Sequence, residues 1–267
     1  MIVGIVKGGL GNQLFQYAAT RTLAKYHQVP FQLNIAAFSA SDHRSFRLDD
    51  LLTLDQTWIT KNALPKNTFA NRIFDHLKPW YKRFYIKERE GHSKDYFFKF
   101  PAQCIIDGYW QQLTFIKLTD MKVELSAAQH HPAHQVAVHF RGGDYMDNPD
   151  TADYHGNLNE AYYKKAFATM LAKFPHVEFF LFSDQPERFK YTFLKEYNVN
   201  WIDEKDEVKA FRKLLHFQSF IIANSSFSWW PAFINDDKEG LIIAPNKWFQ
   251  VKALQNYSPV LSHWLRL

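Results

Sequence analysis

Four short apolar runs in this chain each end in a cluster of polar or glycine residues, and this repetition restricts the fold more than any other feature. Ile2–Val6 runs into Lys7-Gly8-Gly9-Leu10-Gly11-Asn12, after which Leu14, Tyr17, Ala18, Leu23 and Ala24 recur at helical spacing. Gln135–Phe140 runs into Arg141-Gly142-Gly143-Asp144-Tyr145. Val177–Phe182 ends in Ser183-Asp184-Gln185-Pro186, where Pro suits a first helical turn. Phe220–Ala223 ends in Asn224-Ser225-Ser226-Phe227-Ser228, ahead of another helical stretch. Further strands are expected at Val29–Ile35, Ile105–Trp110 and Leu241–Ala244, and helices at Thr68–Trp80, Asn159–Phe174 and Val208–Phe217. Strands alternating with helices predict an α/β protein with parallel sheets covered on both faces. The polar segment Ser126–Gln135 carries Pro132 and three histidines and reads as a linker. Residues 1–130 and 131–267 are therefore expected to form two domains.

Composition excludes several classes. A formal net charge of +5 is mild: it fits an enzyme with an anionic substrate and does not demand nucleic acid. The single cysteine, Cys104, excludes an intramolecular disulfide framework and a Cys-based zinc site, and its apolar neighbours mark it as buried. Met1–Lys7 has no charged leader and no stretch reaches the ~20 apolar residues of a membrane span, so a cytoplasmic protein is expected. Trp80–Tyr85 mixes aromatic and basic residues and is the candidate for peripheral contact with a membrane. Trp80–Phe84, with the net charge of +5, leaves a carbohydrate- or RNA-binding module as an alternative class.

In a doubly wound sheet, ligands bind beyond the carboxyl ends of the strands, where these four polar clusters fall. Gly8–Gln13 suits either a tight turn or an anion held at a helix N-terminus. The adjacent amides of Asn12 and Gln13 are candidates for sugar hydroxyls. Arg141, beside Gly142-Gly143, suits either a forked grip on phosphate or an ion pair with Asp144. N-capping needs only one of Asn224, Ser225, Ser226 and Ser228; anion binding would use the others. Trp229 and Trp230 are expected in the core.

These clusters, in this order, resemble the α-1,2-fucosyltransferases of glycosyltransferase family 11. Gly8-Gly9-Leu10-Gly11-Asn12-Gln13-Leu14-Phe15-Gln16-Tyr17 is similar to the family's N-terminal signature, and Val138–Tyr145 to its His-x-Arg-Arg-Gly-Asp-Tyr motif. Phe182-Ser183-Asp184 and Ile222–Trp230 correspond to the other two motifs. Gly142 stands where most members carry a second Arg, and Lys213–Phe220 departs from the usual pattern before the last motif.

The resemblance implies a GT-B-like fold of two facing Rossmann-like halves, the second holding GDP-β-L-fucose. It implies inverting transfer of fucose to the 2-hydroxyl of a galactoside in a surface glycan such as O-antigen, without a required metal or other cofactor. No Asp-x-Asp occurs in the chain. Arg141, Asp144 and Asn12 become the candidate catalytic residues. Arg141 is expected on the β-phosphate, Asp144 as its orienting partner, and Asn12 near phosphate and fucose. Donor binding is assigned to Gly9, Gly11, Asn12, His139, Arg141, Asp184, Asn224, Ser225, Ser226, Phe227 and Ser228, with His139 and Asp184 toward the guanine or ribose. Partners are then a nucleotide sugar and a galactose-containing acceptor, with no nucleic acid. Ala36–Pro101 is expected to shape the acceptor site, and a same-fold transferase using another nucleotide sugar is the alternative enzyme.

Overall fold

In the computed structural model, residues 1–40, 44–62, 75, 77–88, 96–115, 121–141, 158–189, 192–236, 238–251 and 257–267 are described. Strand β1 (Ile2–Ile5) lies at the centre of the first sheet, so its apolar residues are covered on both faces. Helix α1 (Leu10–His27) follows directly, then β2 (Phe31–Asn34), α2 (Leu48–Leu51), β3 (Ile59–Thr60), β4 (Tyr85–Lys87) and β5 (Cys104–Asp107). The strand order is β3-β2-β1-β5-β4 and every pairing is parallel. Because all strands run one way, Lys7, Glu88 and Asp107 follow or end their strands at the same edge.

Helix α1 is buried along most of its length and packs directly on β1. A Cβ at Gly4 would stand 1.9 Å from Thr20 Oγ1, so the close approach of strand and helix requires glycine. The Thr20 hydroxyl is in turn committed to the carbonyl of Gln16 at 2.7 Å. On the same unit Ile2, Leu23, Ile86, Phe97, Phe100, Trp110 and Phe115 form one core, with the Phe97 and Phe115 rings 4.3 Å apart. Much of the aromatic content is used here as packing. Cys104 is 1 % exposed and burial pushes its thiol up to about 12, in keeping with a small buried hydrophobe. The expected helix over Thr68–Trp80 falls largely outside the described residues, and Trp80 itself opens a 3-10 turn to Lys82.

The chain divides into compact units after Met121, so Met1–Met121 and Lys122–Leu267 are the two bodies. Helix α3 (Met121–Leu125) begins at the division. The segment expected as a linker is instead part of the second unit. Lys122 is ion-paired with Asp236, and its ammonium lies 5.2 Å from the Phe233 ring centroid. The His131 N–H donates to the His216 carbonyl at 2.7 Å, the Gln218 amide to the His131 carbonyl at 2.7 Å, and the Ser219 hydroxyl to the Ala133 carbonyl at 2.6 Å. The backbone of this segment is thus paired with His216–Ser219.

The second sheet holds β6 (Gln135–Phe140), β7 (Glu178–Ser183), β8 (Val199–Trp201), β9 (Ser219–Ile221), β10 (Ile242–Ala244) and β11 (Leu265–Arg266). Its order is β11-β10-β9-β6-β7-β8, again wholly parallel. Helix α4 (Glu160–Lys173) is capped by Asn159, whose side chain accepts the Tyr162 N–H. Its Tyr162, Tyr163, Ala166, Phe167 and Met170 pack on Val136, Val138, Phe140, Phe179 and Leu181. Helices α5 (Glu207–Leu214) and α6 (Ser226–Ile234) are capped by Asp206 and Ser225. The helix expected after Ser183 is replaced by two 3-10 turns, Pro186–Arg188 and Thr192–Glu196, which let Phe189, Phe193 and Leu194 reach the core. Trp229 and Trp230 are fully buried, and the Trp229 indole donates to the Pro259 carbonyl at 3.0 Å. Among the described residues no helix is long and apolar enough to cross a membrane.

Gly4→Ala is expected to cost the protein about 1–3 kcal/mol through the forced overlap with Thr20. Adding Thr20→Ala should return part of that loss, and urea denaturation of the two single variants and the double variant reads the coupling.

Candidate functional site

Strand β6 lies between β7 and β9, so whatever follows it emerges between the ends of those two strands. Arg141 is that residue. On the β7 side the next residue past the strand is Asp184, whose carboxylate is 3.8 Å from the Arg141 guanidinium. On the β9 side the chain passes through Ile222 and Ala223 to Asn224 and the Ser225 cap of α6. Arg141 is half-buried and Asp184 exposed, and the pair lies at the rim of the sheet.

His139 sits one residue inside the rim and is 5 % exposed. Its Nδ1 and the Ser228 Oγ share a hydrogen bond of 2.9 Å, and its ring centroid is 5.5 Å from that of Phe227. Burial, together with the nearby Arg141 charge, holds its pKa down to about 3. A neutral imidazole therefore ties β6 to the first turn of α6. The Ser225 side chain accepts the Phe227 N–H at 3.4 Å, and Ser228 and Asn224 are buried, the Asn224 amide donating to the Trp248 carbonyl at 3.5 Å. Ser226 and Phe227 are half-buried at the mouth of this turn. His139, Arg141, Asp184, Asn224, Ser225, Ser226, Phe227 and Ser228 thus share the carboxyl edge of one sheet. Gly142, Gly143, Asp144 and Tyr145 lie outside the described residues.

Two tyrosines of α4, expected from their helical spacing in the core, hold this edge in place. The Tyr163 hydroxyl donates to the His139 carbonyl at 3.2 Å, and the Tyr162 hydroxyl to the Ile222 carbonyl at 2.6 Å. The adjacent Tyr-Tyr pair, aimed at a sheet, was the available signal: a buried phenol needs an acceptor.

In the first unit, Gly8 adopts a left-handed conformation (φ 81°) and Gly9 caps α1. Gly11 is buried and Asn12 half-buried, its Oδ1 accepting from the Gln111 amide at 2.8 Å. Gln13 does not serve as a surface amide. Its side chain donates to the carbonyls of Gly8 (2.8 Å) and Ser45 (2.9 Å) and accepts the Arg47 N–H at 2.9 Å, which pins the loop before α2 onto the glycine turn. Gln16 likewise accepts the Lys7 N–H and donates to the Gly108 carbonyl.

Among the described residues, no group of three or more His, Cys, Asp and Glu is placed to hold a metal ion. The three-histidine segment is held by His216–Ser219, with His131 packed on the Phe217 ring at 4.6 Å.

Native His139 stays neutral down to about pH 3, whereas the unfolded chain takes up its proton near pH 6.5. The unfolded state then binds more protons as pH falls through 6.5, so this group's contribution is complete above that value and is lost toward pH 3. Between pH 7 and pH 5 the wild type should lose about 2 kcal/mol more stability than His139→Gln, as read by urea denaturation at the two pH values.

The model of the family described as Glycosyl transferase family 11 matches residues 1–267. An Escherichia coli protein named alpha-1,2-colitosyltransferase is 29 % identical over 295 residues, covering 100 % of this chain and 99 % of the relative. A second Escherichia coli protein, the O-antigen biosynthesis glycosyltransferase WbnK, is 27 % identical over 311 residues, covering 98 % of this chain and 99 % of its own length. The crystal structure of the fucosyltransferase NodZ from Bradyrhizobium matches 87 % of this chain and 92 % of that one at 10 % identity, with a TM-score of 0.48. With the family pattern running through both units from the first residue to the last, the chain belongs to glycosyltransferase family 11.

Proposed function

We propose that this glycosyltransferase moves L-fucose from GDP-β-L-fucose, with inversion at the anomeric carbon, to the 2-hydroxyl of a galactoside in a surface glycan. The observation that carries the proposal is the placement of Arg141 just past β6, one of the two middle strands of the second sheet, between Asp184 and the Ser225–Ser228 turn. A guanidinium presents forked donors to a diphosphate, and the first turn of a helix adds backbone N–H groups and a positive dipole end. As the bond from the sugar to the phosphate breaks, negative charge grows on the leaving GDP. Fixed donors aimed at that charge lower the barrier. His139 serves as a neutral strut rather than as a second cation, because burial holds it deprotonated at pH 7.

Asp184 and the half-buried Phe227 and Ser226 are the contacts proposed for the nucleoside. Asp144 is proposed to orient Arg141. In the first unit, Asn12 with Gly9 and Gly11 is proposed to meet the sugar end of the donor. Arg141 supplies the positive charge that a divalent cation supplies elsewhere, so the reaction is proposed to proceed without metal. Membership of an enzyme family over the whole chain sets aside the binding-module alternative.

A second donor is favoured by one observation, the relative named as a colitosyltransferase at 29 % identity. Colitose is fucose without its 3-hydroxyl, so both donors present the same GDP to the second unit and differ only at one carbon of the sugar.

Arg141→Ala is expected to lower kcat/KM for GDP-fucose by about 100-fold or more, and titration calorimetry should show GDP binding largely lost. Wild-type protein should bind GDP and not UDP, and keep full transfer activity in EDTA. Failure to bind GDP overturns the proposal. Faster turnover of GDP-colitose than of GDP-fucose replaces the donor and leaves the chemistry as written.

A further inference from the structure

At the carboxyl edge of the first sheet, β5 ends in Asp107 and the chain turns through Gly108, Tyr109 and Trp110 to Gln111. The turn is built to hold one ring outward. Trp110 is 1 % exposed in the core beside Phe97 and Phe115, and its backbone is left-handed (φ 53°), a conformation that costs a bulky residue energy. One oxygen of Glu88, just past β4, accepts the N–H groups of both Tyr109 (2.6 Å) and Trp110 (3.0 Å). Gly108 is required, since a Cβ there would stand 2.3 Å from the Cβ of Glu88. With Trp110 anchored inside, Tyr109 is left 43 % exposed. Its ring lies against the glycine turn, 3.6 Å from the place a Cβ on Gly8 would occupy.

The chemistry around this ring selects a ligand class. The Lys7 ammonium, 5.7 Å from the ring centroid, is ion-paired with Asp107 at 2.6 Å. The other Asp107 oxygen accepts the Tyr85 hydroxyl at 2.6 Å. Lys7 and Asp107 cancel, and Glu88, whose carboxyl is pushed up by burial, adds no positive charge. Such a patch is poorly suited to a diphosphate. It offers an exposed flat ring and, beside it, the half-buried Gln111 amide, which suit a neutral ligand with an apolar face and hydroxyls.

The geometry points to Tyr109 as the stacking platform for the acceptor hexose, with Glu88 as the residue that positions it. The inference rests on the proposal that this enzyme glycosylates a galactoside, and it adds the residues of the first unit that read that sugar.

The test measures transfer from GDP-fucose to lactose and to methyl β-galactoside, with GDP affinity followed by calorimetry and galactoside binding by saturation-transfer NMR. Tyr109→Ala should raise the acceptor KM about tenfold or more, with kcat changed far less and the GDP affinity of the folded protein retained. Tyr109→Phe should stay close to wild type, because the ring rather than the hydroxyl carries the contact. Glu88→Ala should raise the acceptor KM in the same way, and Glu88→Gln, which keeps an oxygen for the two N–H groups, should restore it. Tyr26→Ala, an exposed tyrosine in the last turn of α1, serves as the control that leaves KM unchanged. An active Tyr109→Ala with an unchanged acceptor KM overturns the platform and leaves the transferase assignment intact. A wild type that binds GDP yet neither binds nor modifies a galactoside overturns the acceptor assignment and the platform with it.

Discussion

Parallel pairing is the constraint on which both units depend. A parallel strand cannot return through a tight turn, so each one must be followed by a crossover that starts at the same edge of the sheet. In the second unit this gathers Arg141, Asp184 and the Ser225 cap, which are separated by 41 to 43 residues along the chain at each step, onto one rim. In the first it gathers Lys7, Glu88 and Asp107. Pairing in parallel also buries both faces of each sheet, which is why the chain devotes so many aromatic residues to packing above and below the strands.

The two edges share this topology and differ in electrostatics. The second combines a guanidinium, a helix N-terminus and a histidine that burial keeps neutral, a set suited to developing negative charge. In the first, each charge is answered locally: Lys7 by Asp107, Asp107 also by Tyr85, and Glu88 by two backbone N–H groups.

Features set by local sequence are legible in the sequence itself. Ile2–Ile5 with its glycine turn, the strand leading to Arg141 and the Ser225 cap all follow from β-branched runs meeting polar stops. Features set by distant partners are not. Gln13 looked like a ligand amide because Ser45 and Arg47, which saturate it, lie over thirty positions away. The histidine-rich segment looked like a linker because its backbone partners, His216–Ser219, are over eighty positions away. Glu88 carried no signal, since its value comes from the two N–H groups of a turn twenty-one positions on. The strand pattern puts Arg141 and the serine turn just past their strands, but neither it nor the family motifs point to the struts from Tyr162 and Tyr163.

The chain's single thiol has a practical consequence. Cys104 pairs directly with Ile2 in the middle of the first sheet and is sealed on both faces, so it is unreactive while that sheet is closed. Any labelling of the protein by a thiol reagent therefore marks an excursion in which β5 separates from its neighbours. The rate of labelling is an intrinsic clock for opening of the first unit, blind to the second, and needs no engineered probe.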